Sequence, residues 1–233
     1  MIIALNNKSN LNRKEFKEYY KELLKIKTKS KLILCPTFLN IGLAYSDKVL
    51  LGSQNVSRDK DGAFTGEISA EQLKNSGVKY SIVGHSERRE YQRESFEDIN
   101  KKIKRLLDNN IVPILCIGET LEERKEDQVK EVLNAELLSA IKGLDAKEKS
   151  KIIVAYEPIW SIGTGKIPTL EEIEEVFNFI KKKFPKNKVL YGGSANEKNI
   201  DELKTLKIID GYLLGGLSLK PKELQEFLNK LEK

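Results

Sequence analysis

The chain has 233 residues, with 41 Lys plus Arg against 35 Asp plus Glu for a formal charge of +6, and a single histidine, His85. A hydrophobic share of 39% supplies a full core and excludes a disordered chain, two cysteines (Cys35 and Cys116) exclude a disulfide scaffold and point to a reducing compartment, and one histidine excludes a His-rich metal site. The surplus lysine is scattered among glutamates without stacking aromatics, which speaks against nucleic acid, and no stretch approaches the ~20 apolar residues of a membrane span.

Taken in chain order, short apolar runs alternate with segments of helical period. The first run, 2–5, precedes a segment in which Phe16, Tyr19, Tyr20, Leu23 and Leu24 share one face. Runs at 32–35, 49–51 and 81–83 follow, then a second amphipathic segment with Phe96, Ile99, Ile103, Leu106 and Leu107. Runs at 111–117 and 152–156 lead to a helix carrying Leu170, Ile173, Val176, Phe177 and Ile180, opened by the capping box Thr169 with Glu172. After the run 189–191 come Ile200, Leu203 and Leu206, with Asn196 as the expected N-cap. The run 208–214 precedes a last helix that starts at Pro221 and shows Leu224, Phe227, Leu228 and Leu231.

Most runs are β-branched-rich and apolar on both faces, as parallel strands covered on both sides are. Eight of them recur about every 29 residues, close to the ~30 of one βα unit. The predicted fold is therefore α/β, a (β/α)8 barrel forming one domain over 1–233, with a doubly wound open sheet as runner-up. No linker rich in Pro, Ser or Gly divides the chain.

In such a barrel the loops after the strands build the active site. Those loops carry Asn6-Asn7-Lys8, Gly84-His85-Ser86-Glu87-Arg88-Arg89, Glu157 with the stretch to Lys166, Gly192-Gly193-Ser194 and Gly215-Gly216. Glycines let backbone N–H groups approach an anion, and the loops after strands seven and eight are a recurring phosphate site. A lone Gly-Gly is an ordinary turn; two at these loops, with Lys8 and His85 on the same rim, favour phosphate. Taken singly, His85 is a satisfied structural residue, Glu157 a salt-bridged carboxylate at the barrel mouth, Asn6 a turn cap, and Glu87 a partner for a nearby arginine or lysine. Together, a carboxylate base, a donor and a cation around a phosphate fit proton transfer beside a carbonyl. The substrate stays open at this point.

Over essentially its full length the chain resembles the triosephosphate isomerase family. The resemblance rests on Asn6-x-Lys8, Gln54-Asn55, Gly62 to Glu67, Gly84 to Arg89, Cys116-Ile117-Gly118-Glu119, Ala155 to Trp160, Gly163-Thr164-Gly165-Lys166, Tyr191 to Ser194, and Asp210 to Gly216, all in family order. It implies a TIM barrel that interconverts dihydroxyacetone phosphate and glyceraldehyde 3-phosphate in glycolysis and gluconeogenesis, in the cytoplasm. It implies Glu157 as base, His85 as neutral electrophile, Lys8 as fixed positive charge and Asn6 as substrate-positioning group. Gly163, Ser194, Gly215 and Gly216 would hold the phosphate, and 158–168 would form a lid over it. No metal or organic cofactor is implied. The loop around Thr65 would insert into a neighbouring subunit, giving a homodimer.

The chain departs from the family pattern in three places. Asn7 stands where the family usually has Trp, Lys166-Ile167-Pro168 forms the lid's far hinge, and the chain is shorter than usual. Pro168 predicts a stiffer hinge. Two other classes remain open, a different phosphosugar-handling barrel enzyme and a non-catalytic protein on a degenerate barrel. The first need not have Glu157 before a glycine-rich lid, and the second is disfavoured because the base, electrophile, lysine and phosphate glycines are all present.

Overall fold

The eight apolar runs become parallel strands because each has a core on both sides. In the computed structural model, which describes residues 1–162 and 167–233, the strands are β1 (Ile2–Asn6), β2 (Lys31–Cys35), β3 (Leu50–Ser53), β4 (Tyr80–Val83), β5 (Val112–Ile117), β6 (Ile153–Tyr156), β7 (Val189–Tyr191) and β8 (Gly211–Leu214). They pair in sequence order, and β1 also pairs with β8, so the sheet closes into a (β/α)8 barrel. The open doubly wound alternative is excluded by that closing pair.

Along each strand, alternate residues face two different cores. Ala4, Ile33, Cys35, Ile82, Ile114, Cys116, Ala155, Leu190 and Leu213 fill the barrel interior. Ile3, Leu5, Leu34, Leu115, Val154, Tyr156, Tyr191 and Tyr212 point outward beneath the helices. Gly52 leaves the interior space that Cys35 takes: a Cβ there would lie 2.6 Å from Cys35 Sγ.

The helices are α1 (Arg13–Leu23), α2 (Phe38–Ile41), α3 (Ala70–Asn75), α4 (Ser86–Gln92), α5 (Phe96–Asp108), α6 (Leu121–Lys125), α7 (Val129–Ala140), α8 (Ala146–Ser150), α9 (Leu170–Lys183), α10 (Ile200–Leu203) and α11 (Pro221–Leu231). The expected Thr169–Glu172 capping box opens α9, and Pro221 takes the first position of α11. Two expectations change. The N-cap of α10 is Asn199, not Asn196; Asn196 instead accepts from Lys198 N at 2.8 Å in a turn that leads into the helix. The last run starts as a strand only at Gly211, where a Cβ would lie 2.0 Å from the Ile2 carbonyl oxygen of the closing strand. No described helix is long and apolar enough to cross a membrane.

Candidate active site

The closed sheet brings the ends of β1, β4, β6, β7 and β8 to one rim. A cavity of about 410 Å³ opens there, lined by Asn6, Lys8, His85, Glu157, Gly192, Gly193, Ser194, Gly215 and Gly216 among others. Every site residue predicted from sequence lines it except Gly163, which lies outside the described residues.

His85 ends β4 and caps α4. Its Nδ1 accepts from Glu87 N at 3.3 Å, so that nitrogen carries no proton and the ring is the neutral tautomer with its proton on Nε2. Nε2 faces Glu157 Oε1 at 3.1 Å. Glu157 Oε2 accepts from Ser86 N at 3.2 Å, and the side chain is 1% exposed. A carboxylate and an imidazole therefore touch on the cavity wall, both of them buried.

Glycines and a thiol shape the bed of this carboxylate. A Cβ at Gly192 would meet Glu157 Cγ at 2.8 Å, and one at Gly118 would meet the Glu157 carbonyl oxygen at 1.7 Å. Neither position tolerates a side chain while Glu157 stays where it is. Burial, and after it the charge of Glu157, push the Cys116 thiol upward, so it remains a neutral group beneath the carboxylate.

Lys8 sits in the left-handed region at φ +51°, an uncommon conformation for a residue with a side chain. It is held there on both sides: Asn6 Oδ1 accepts from Lys8 N at 3.0 Å, and Gln54 Nε2 donates to Lys8 O at 2.8 Å. The strained turn aims the amine at the cavity, where Nζ pairs with Glu87 Oε1 at 2.5 Å. Gly215 leaves room for this lysine; its Cβ would lie 3.2 Å from Lys8 Cε. Asn7 is 1% exposed and donates to Tyr19 OH at 3.3 Å and Ser218 Oγ at 3.2 Å, tying this loop to the loop after β8.

The start of the expected lid is anchored by one carboxylate. Glu119 Oε1 accepts from Trp160 Nε1 at 2.9 Å and from Tyr156 OH at 3.0 Å, and pairs with Arg124 at 2.8 Å. Ser194 Oγ donates to Ser161 O at 3.0 Å, linking the loop after β7 to the same segment.

Sequence reading left Gln54, Ser86 and Gly118 without roles, and gave Gly192 a place in a phosphate loop but not its place against Glu157. Gly118 and Gly192 had a signal, since each directly follows a predicted strand. Ser86 acts through its backbone N–H, which no side-chain pattern reveals.

The family profile described as triosephosphate isomerase matches residues 1–231. A triosephosphate isomerase of Mesomycoplasma hyorhinis is 48% identical over 174 residues, 74% of this chain and 70% of the relative. One of Francisella tularensis subsp. holarctica is 42% identical over 195 residues, 80% and 77% of the two chains. One of Alkaliphilus oremlandii is 40% identical over 216 residues, 87% of each.

Proposed function

The chain belongs to the triosephosphate isomerase family and interconverts dihydroxyacetone phosphate and glyceraldehyde 3-phosphate, a glycolytic step, and we propose that Glu157 and His85 carry out its proton transfers. Glu157 removes a proton from the hydroxymethyl carbon of dihydroxyacetone phosphate, and the electron pair moves to the carbonyl oxygen, giving an enediolate. A proton then passes from the hydroxyl on the first carbon to the former carbonyl oxygen by way of His85 Nε2, and return of the carbon-bound proton from Glu157 to the adjacent carbon gives the aldehyde. The His85 Nε2 proton and the Lys8 ammonium hold the oxygens on which charge develops. Asn6, at the end of β1, positions the substrate. The chemistry calls for no cofactor, since base, donor and cation are all side chains.

The observation that carries this reading is the pair of contacts on Glu157: Oε1 lies 3.1 Å from His85 Nε2 and Oε2 lies 3.2 Å from Ser86 N. Substrate replaces these contacts when it enters. Ser194, Gly215 and Gly216 hold its phosphate, with Gly163 completing the cradle as the 158–168 lid closes. The cavity lined by Ser194, Gly215 and Gly216 beside Lys8 supports the phosphate site.

The reading extends to a homodimer in the cytoplasm, each chain one domain. A cleft of about 280 Å³ beside Lys8 and His85, lined by Gln54, Phe38 and Tyr91, is suited to the Thr65 loop of a second copy. Phe64 at the tip of that loop is 45% exposed and Tyr91 on the cleft is 69% exposed, apolar surface that a partner would cover. Pairing of the first strand with the last supports a single domain.

A coupled isomerase assay on wild type and Glu157→Gln tests the assignment. The amide cannot take the carbon-bound proton, so turnover should fall by at least about 10³-fold. Near-normal turnover removes Glu157 from the role of base.

A further inference from the structure

Gly118, directly after β5, is held by both of its backbone groups from outside the catalytic set. Its N–H donates to Glu136 Oε2 at 2.8 Å, and its carbonyl accepts from Arg89 Nη2 at 3.4 Å. Arg89 Nη1 and Glu136 Oε1 pair and close the ring. Glu136 is 7% exposed, and a carboxylate buried this deeply is costly unless both oxygens are partnered.

The ring spans the two halves of the candidate catalytic pair. The backbone of Glu157 lies on the 117–118 peptide: Glu157 N donates to Ile117 O at 2.8 Å, and Gly118 leaves no space for a Cβ beneath Glu157 O. Arg89 sits one turn after His85 on α4, and its own N–H donates to His85 O at 3.3 Å. The ion pair thus runs from the helix that begins at His85 to the bed of Glu157.

We propose that Glu136 is a positioning residue, which through Arg89 and Gly118 sets the separation of His85 and Glu157; this rests on those two being the catalytic pair. A carboxylate suits the place because it offers two acceptors to two donors, the Gly118 N–H and the guanidinium. An amide turns one of its donors toward one of them, and aspartate is a methylene short. The charged groups facing Glu136 are Arg89 from α4 and, less strongly, Glu123 from α6; α5 presents the Phe96 ring, 5.2 Å from the Arg89 guanidinium. Burial raises the Glu136 carboxyl to about 7, against the lowering influence of Arg89. Protonation then puts a hydroxyl against Arg89 and loosens the ring.

His85 is the only histidine, so ¹⁵N-histidine NMR reads its ring without overlap. Spectra and steady-state kinetics of wild type, Glu136→Gln, Arg89→Lys and the double variant Arg89→Gln/Glu136→Gln are compared between pH 6 and 9. Glu136→Gln should lower kcat about 10-fold with KM within about 2-fold, as a misplaced catalytic pair does. It should also move the His85 ring shifts at any one pH. The double variant should recover part of kcat, because two facing amides satisfy each other. Unchanged His85 shifts and kcat in Glu136→Gln, or a lowered melting temperature alone, overturn the proposal. Where Glu136→Gln does not fold, Arg89→Lys, which keeps the charge and loses the bond to Gly118 O, must move the same shifts or the proposal falls. Activity surviving Glu157→Gln would instead remove the catalytic assignment itself.

Discussion

Lys8 shows how one residue's backbone can be given up to its side chain. Its left-handed conformation costs of order 1–3 kcal/mol, and the bonds from Asn6 and Gln54 hold it in place. His85 is arranged on the same principle, with the backbone N–H of Glu87 selecting the tautomer that keeps a proton on Nε2. Replacing His85 by Gln keeps a donor but misplaces it, so kcat should fall by about 10²-fold while KM changes little. An effect on KM alone would make His85 a binding residue. The identities of Asn6, Lys8, His85 and Glu157 were legible because strand ends bring them to one rim. The strain at Lys8 and the tautomer of His85 were not, because both depend on backbone groups far away in sequence.

Among the elements, the strands were the easiest to read. Burial on both faces writes a continuous apolar run, as in β5 and β6. Helix α7 shows the opposite case. Its helical period is broken because Glu136 is buried while Leu138 is 56% exposed, so the residue types mislead about which face is inside. At the far end of the proposed lid, Ile167 and Pro168 come directly before the Thr169 capping box, in which Thr169 Oγ1 accepts from Glu172 N at 3.2 Å and Glu172 Oε2 accepts from Thr169 N at 2.8 Å. The hinge is thus fixed by a locked φ on one side and a capped helix on the other. Pro168→Ala restores freedom worth about 0.4–1 kcal/mol, so lid exchange should quicken about 2- to 5-fold by relaxation dispersion. An unchanged rate would show that Pro168 does not limit the motion.

For the whole molecule, Glu136 couples stability to pH. Burial raises its carboxyl from 4.5 to about 7, so the folded chain holds this proton more tightly than the unfolded one. The stabilisation is complete below about 4.5 and is lost as pH rises through about 7, on the order of 3 kcal/mol in all. Thermal melts between pH 5 and 8 should therefore show a falling contribution in wild type that Glu136→Gln flattens. An equal slope in both would place the titration elsewhere.

Closure between β1 and β8 also sets a schedule for synthesis. The Ile2–Leu5 edge has its final neighbour only when Gly211–Leu214 has been made. At about 5–20 residues per second, the ribosome takes about 10–40 s to travel that distance. Throughout that interval an apolar strand edge is open to any other growing chain. In the cell, the hazard of a seamless barrel is thus borne before the seam exists, and it is greatest where many copies are translated side by side.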